Sequence, residues 1–186
     1  MRIYKRIDRF LEHAIYQFAD WIATSNWIGK ERDCVNLFAN TFLLRSVSSE
    51  AAITDYGQVR IECGVPQTGF RRESDLPETG FQRPSAAKDL VIWRGPLDVA
   101  WDSSWEPVNI PWVVLEWKTH RFGRFDMSNE QKVFDKHDRE WLTRFTEQNP
   151  TSFGYAVTVD FRGSKRNVHC AKFRNGVQWN KRRPAN

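Results

Sequence analysis

Trp112-Val113-Val114-Leu115-Glu116-Trp117-Lys118 anchors the fold expected of this chain. It is the most apolar strand-like run in the chain, and it ends in Glu-X-Lys. Alternation along a strand puts Glu116 and Lys118 on one face and Trp117 on the other. Upstream, Lys88-Asp89-Leu90-Val91-Ile92-Trp93 is a second apolar run, which Asp89 opens. Charges beside such runs are expensive to bury unless they are paired or hold an ion. If the two strands pair, both carboxylates and the ammonium meet at one point, as a metal ion and an activated water would require.

Outward from this pair, the hydrophobic pattern supplies the other elements. Ile3, Ile7, Phe10, Leu11, Ala14, Ile15, Phe18 and Ile22 recur at helical spacing and predict an amphipathic helix over 2–23. A second helix is expected from Trp27 to Arg45, capped by Thr24-Ser25-Asn26, with Ile28, Val35, Phe38, Phe42 and Leu43 inward. Residues 52–65 read as a strand with an irregular start, and 66–87, rich in Pro, Gly, Arg and Glu, as a long loop. Asp89 to Trp93 is the next strand, Leu97 to Trp101 a short hairpin return, and Ile110 to Lys118 the central strand. Ser128 to Gln148 predicts a long helix stopped by Asn149-Pro150, with Val133, Phe134, Trp141, Leu142 and Phe145 inward. Phe153–Phe161 and Val168–Phe173 are the last strands. This order describes an α/β chain with a mixed sheet flanked by helices. At 186 residues, one domain is the default. It divides into an N-terminal helical extension over 1–25, a core over 26–175 and a basic tail over 176–186.

Composition narrows the setting. Charged residues make up 27% of the chain, and no stretch approaches the ~18 uninterrupted apolar residues of a membrane span. The charged N-terminus has no apolar signal core. Cys34, Cys63 and Cys170 fit neither a zinc spacing nor a disulfide framework, so a cytoplasmic location with reduced thiols is expected. The net charge of +5 is unevenly distributed. Residues 151–186 hold eight Lys/Arg and one acid, while the first 150 hold 20 Lys/Arg and 22 acids. A basic C-terminal region suits a polyanion such as nucleic acid.

Hydrolysing a phosphodiester requires charge neutralisation at the phosphate, a deprotonated water and a stabilised leaving oxygen. Two carboxylates suit Mg2+, which prefers oxygen ligands, and a nearby lysine stabilises developing charge. Asp89, then 26 residues, then Glu116-Trp117-Lys118 resembles the signature of the PD-(D/E)XK nuclease superfamily. The resemblance spans about Trp27 to Phe161, where the order of helix, three strands, helix and strand is similar too. It implies a restriction-endonuclease-like three-layer core and a Mg2+-dependent DNA endonuclease, with Mn2+ as a substitute. In that resemblance Asp89 and Glu116 hold metal, with Glu31 from the first core helix and the main-chain carbonyl of Trp117 as added ligands. Lys118 positions and activates the water. Lys88 departs from the family's Pro. Asp98, after Pro96-Leu97, is a rival to Asp89; Asp89 is preferred because it leads directly into an apolar run.

Around this centre, Arg121, Arg124, Lys165 and Arg166 are the expected backbone contacts, with Gln131 and Lys132 as residues that could face the site. Trp101 and Trp105, in a polar turn, are candidates for stacking on a base, and His120 for a phosphate contact. DNA is expected ahead of RNA, without a membrane, and a homodimer would suit double-strand cleavage. The alternatives are a catalytically inactive nucleic-acid-binding or protein-interaction module on the same fold, and an unrelated α/β protein with a basic tail.

Overall fold

The computed structural model describes residues 2–66, 85–104, 106–121, 134–162 and 166–180. Helix α1 (Arg2–Thr24) precedes the short α2 (Glu31–Leu37). Six strands follow: β1 (Val59–Pro66), β2 (Ser85–Ile92), β3 (Val113–His120), β4 (Phe153–Asp160), β5 (Asn167–Arg174) and β6 (Val177–Asn180). Helix α3 (Lys136–Gln148) lies between β3 and β4. The strands form one sheet in sequential order. Among the described residues, only β3 and β4 pair in parallel, joined through α3; the other strand pairs there are antiparallel. The protein is thus an α/β chain built on a six-stranded mixed sheet.

Alternation along the strands divides the apolar residues into two cores, one on each face. Leu90, Ile92, Val113, Leu115 and Trp117 pack with Ile7, Leu11, Phe18 and Ile22 of α1. Val91, Val114, Ala156 and Ala171 pack with Trp141, Leu142 and Phe145 of α3. Trp117 is the keystone of the first core. Its ring meets Phe18 edge-on at 5.3 Å and Phe38 at 5.2 Å. A half-buried polar cluster fixes α1 to the sheet. Tyr155 donates to Asp8 at 2.6 Å, and Lys172 pairs with Asp8 and, at 3.3 Å, with Glu12.

Several expected boundaries move. The second helix starts at Glu31 and passes after Leu37 into a π-helical turn over Phe38–Leu43. Ile28 is therefore outside it and 58% exposed rather than inward. Asp135 accepts hydrogen bonds from the N–H groups of His137 and Asp138 and so starts α3 at Lys136 instead of Ser128. Residues 128–133, including Val133, lie outside the described residues. Asp89 lies inside β2, which begins at Ser85, rather than opening it. Leu97–Trp101 is not a strand of the sheet; Trp101 makes one isolated bridge with Pro107. Part of the expected tail is β6, paired with β5; residues 181–186 lie outside the described residues. Among the described residues, no helix is long and apolar enough to cross a membrane.

Candidate active site

The candidate site forms where β2 and β3 part. Their ladder runs Ile92–Val113, Val91–Val114 and Leu90–Leu115, with no further pair. The next residues lose their main-chain partners across the gap, and side chains take over. The Asp89 carboxylate accepts the Trp117 N–H at 2.7 Å. The Trp117 carbonyl accepts from the Lys118 ammonium at 2.9 Å. The peptide of Trp117 is thereby bracketed by an acid and a lysine, while its ring anchors β3 on the opposite face.

An irregularity in β1 and β2 brings in a residue that alternation assigns elsewhere. The β1–β2 register runs Ile61–Leu90, then Cys63–Lys88, leaving Glu62 and Asp89 between them without a ladder pair. Glu62 has φ 51°, the left-handed region that non-glycine residues rarely enter. Ile61 and Leu90 belong to the α1-side core, whereas Cys63 and Val65 pack with the α3-side core. In a regular strand, residues 61, 63 and 65 would share a face. The switch turns Lys88 toward α3. Its ammonium pairs with Glu116 and lies 3.7 Å from the centre of the Trp141 ring. Lys88 and Glu116 are both nearly inaccessible, with side chains 5% and 7% exposed.

Two helix starts add the remaining acids. Glu31 opens α2, whose first turn is fixed by the Asp33 carboxylate accepting the Lys30 N–H at 2.9 Å. Arg32, the next residue, makes a two-pronged bond to Glu62, at 2.7 Å on each arm, and so ties α2 to the irregular point of β1. Trp27 lies so close over Gly29 that any Cβ there would collide with its ring. Asp138 is in the first turn of α3, one turn before Trp141. Lys118 reaches Asp138 at 3.3 Å and Glu31 at 3.7 Å.

Four carboxylates (Glu31, Asp89, Glu116 and Asp138) therefore share the site with two ammoniums, Lys88 and Lys118. Burial pushes Glu116 up to about 8, with Lys88 pulling it down and Asp138 and Asp89 adding to the rise. Glu31 is raised by burial and by Asp89 and Asp138, against the pull of Lys118. Burial works against the Lys118 charge, but Asp138, Glu31 and Asp89 outweigh it and raise its pKa. Lys118 is thus held as a cation, fitted to stabilise negative charge rather than to accept a proton.

Among the described residues, no three acids, histidines or cysteines form a ready-made metal cage. The acids are instead engaged by Lys88, Lys118 and the Trp117 N–H. The chemistry of the set still fits a hard divalent cation. Its donors are carboxylate and carbonyl oxygens, the hard ligands that such an ion prefers.

Other expected site residues fall differently. Asp98 accepts the Gly95 N–H at 2.9 Å, closing its own turn. Arg166 is half-buried and donates to the carbonyls of Ser25 and Trp27, at 2.9 Å for Trp27, and so ties β5 to the α1–α2 connection. Lys172 is engaged by Asp8 and Glu12, and Arg162 by Asp160. Among the described basic residues after residue 150, Lys172 and Arg162 are thus paired with acids inside the fold. Trp101 packs against the α3-side core rather than standing free for a base. Arg121 is exposed just past β3, and His120 ends that strand half-buried. Arg124, Gln131, Lys132, Lys165 and Trp105 lie outside the described residues.

Sequence reasoning missed Asp138 and Lys88. Asp138 had a signal: it precedes Trp141, Leu142 and Phe145 at helical spacing, hence on the inward face. Lys88 had none, because alternation from Leu90 sends it to the other side. Compared with known protein families, characterised proteins and solved structures, the chain matches none of them.

Proposed function

We propose that the protein is a divalent-metal-dependent nuclease that hydrolyses phosphodiester bonds, DNA ahead of RNA, on a restriction-endonuclease-like core. The observation that carries this reading is the gathering of Asp89, Glu116, Glu31 and Lys118 around the Trp117 peptide, at the point where two strands separate. Asp89, Glu116 and the Trp117 carbonyl would hold Mg2+, with Glu31 as a further ligand directly or through water. When bound, the ion supplies neutralisation of the phosphate oxygens and a more acidic water. Lys118 holds its charge beside the reacting phosphate and stabilises the negative charge that builds there. Asp138 and Glu31 keep the Lys118 ammonium aimed across the Trp117 carbonyl. Arg121, with Arg124 and Lys165, would contact backbone phosphates, giving salt-sensitive binding without base reading.

The test is incubation with plasmid and with linear DNA in Mg2+, in Mn2+ and in EDTA, repeated with Lys118→Ala and Asp89→Ala. Cleavage that needs metal and vanishes in both variants is the expected result. DNA retardation without cleavage would favour an inactive binding module on the same fold, a reading that the engagement of Glu116 by Lys88 favours. Neither cleavage nor retardation would overturn both.

A further inference from the structure

Lys88 stands apart from the machinery just described. It occupies the position before Asp89, is almost completely buried, and pairs with Glu116, the most buried acid of the site. It reaches that acid only because the strand face switches at Glu62 and Asp89. Burying such a pair is rarely a gain in stability over an apolar pair, since desolvation offsets most of the attraction. A buried ion pair held at the cost of an irregular strand therefore calls for another role. Trp141 provides a second hold on the same ammonium through its ring face, 3.7 Å away. The groups facing the pair include Asp89 on β2 and Asp138 on α3.

We propose that Lys88 is a built-in counter-ion for Glu116, so that divalent-cation binding at this site is an exchange in which Lys88 must release Glu116. This rests on the reading of the site as a metal centre. In the metal-free protein Lys88 occupies the Glu116 oxygen that a cation would need, and holds that carboxyl in place beside Asp89 and Asp138. The Trp141 ring keeps hold of the ammonium when Glu116 turns to a cation. The arrangement lowers the affinity for metal, because each binding event must first break a buried pair. It also sets selectivity: a cation that does not engage Glu116 strongly leaves Lys88 in place.

The experiment is calorimetric titration of the whole protein with Mn2+ and with Mg2+ at about pH 8, without nucleic acid. Thermal unfolding with and without each ion is measured alongside. Wild type is compared with Lys88→Met, whose apolar side chain suits the Trp141 face, and with Lys88→Met combined with Glu116→Gln. Lys88→Gln serves if the methionine variant does not fold. Lys88→Met should bind Mn2+ about tenfold tighter or more, and show the larger metal-induced rise in melting temperature. Adding Glu116→Gln should cancel that gain. Wild-type binding with an equal or weaker affinity in Lys88→Met would overturn the counter-ion role and leave the metal centre standing. No binding by any of these proteins would remove the metal centre, and this inference with it.

Discussion

Replacing Glu116 by Gln should abolish a large pH dependence of stability in the metal-free protein. Glu116 has a reference value of 4.5 and is pushed to about 8 in the fold, chiefly by burial. Between these values the native state holds a proton that the unfolded chain has lost. The contribution is fully present below pH 4.5 and disappears as pH rises through about 8. At about 1.4 kcal/mol per unit, the shift sets an upper limit of about 5 kcal/mol on the stability lost across that range. With its side chain 7% exposed, Glu116 is little screened by solvent. Glu31 is raised as well and adds a smaller change of the same sign, because it is more exposed. Asp160 is lowered by Arg162 despite its burial, so its opposite contribution is lost as pH falls through its folded value, below 3.8 and outside the window. The assay is urea unfolding in EDTA at several pH values from about 5 to 9. The stability of Glu116→Gln relative to wild type should improve by at least about 2 kcal/mol from the acid end to the alkaline end. A difference between the two proteins that stays flat with pH would refute the reasoning, since Glu116 would then titrate alike in the folded and unfolded chain.

Three further outcomes follow from other contacts. Lys172→Met removes the ammonium that Asp8 shares with Glu12 beneath α1, and should cost about 3 kcal/mol in denaturant unfolding. Gln58 is buried, accepts from the N–H groups of Thr54 and Asp55, and donates to the carbonyls of Trp93 and Arg94. Gln58→Leu should therefore destabilise by about 3 kcal/mol in the same assay, since it leaves these groups unsatisfied. Gly29→Val drives a side chain into the Trp27 ring and should disturb the start of α2 that carries Glu31. In the proposed nuclease it should lower cleavage about tenfold or more while changing global stability by under about 2 kcal/mol; unchanged cleavage would separate Glu31 from the chemistry.

The parts of the fold that were legible in the sequence are those carried by periodicity. The α1 stripe from Ile7 to Ile22 is buried as its spacing predicts, and the apolar runs around Val91 and Val114 are central strands. Alternation placed Glu116 opposite Trp117 correctly, because β3 is regular along its whole pairing with β4. What failed depended on tertiary or local geometry that period cannot express. The β1–β2 ladder breaks at Glu62 and Asp89, and Lys88 comes to face Trp141 of α3. Asp135 starts α3 where the apolar pattern alone would start it earlier. Among the basic residues after 150, Lys172 pairs with Asp8 and Glu12 on α1 and Arg166 donates to carbonyls just beyond it, partners far away in sequence. Charge counted along a chain does not reveal which charges the fold neutralises.

The central claim is that the acids around the Trp117 peptide hold a divalent cation. Its most direct test is a crystal of the protein grown with Mn2+ and measured near the manganese absorption edge. An anomalous peak is expected in contact with Asp89, Glu116 and the Trp117 carbonyl, at the short distances of about 2.0–2.2 Å that small divalent ions adopt with oxygen ligands. Well-ordered carboxylates at that point with no peak, and Lys88 still on Glu116 at saturating Mn2+, would contradict it.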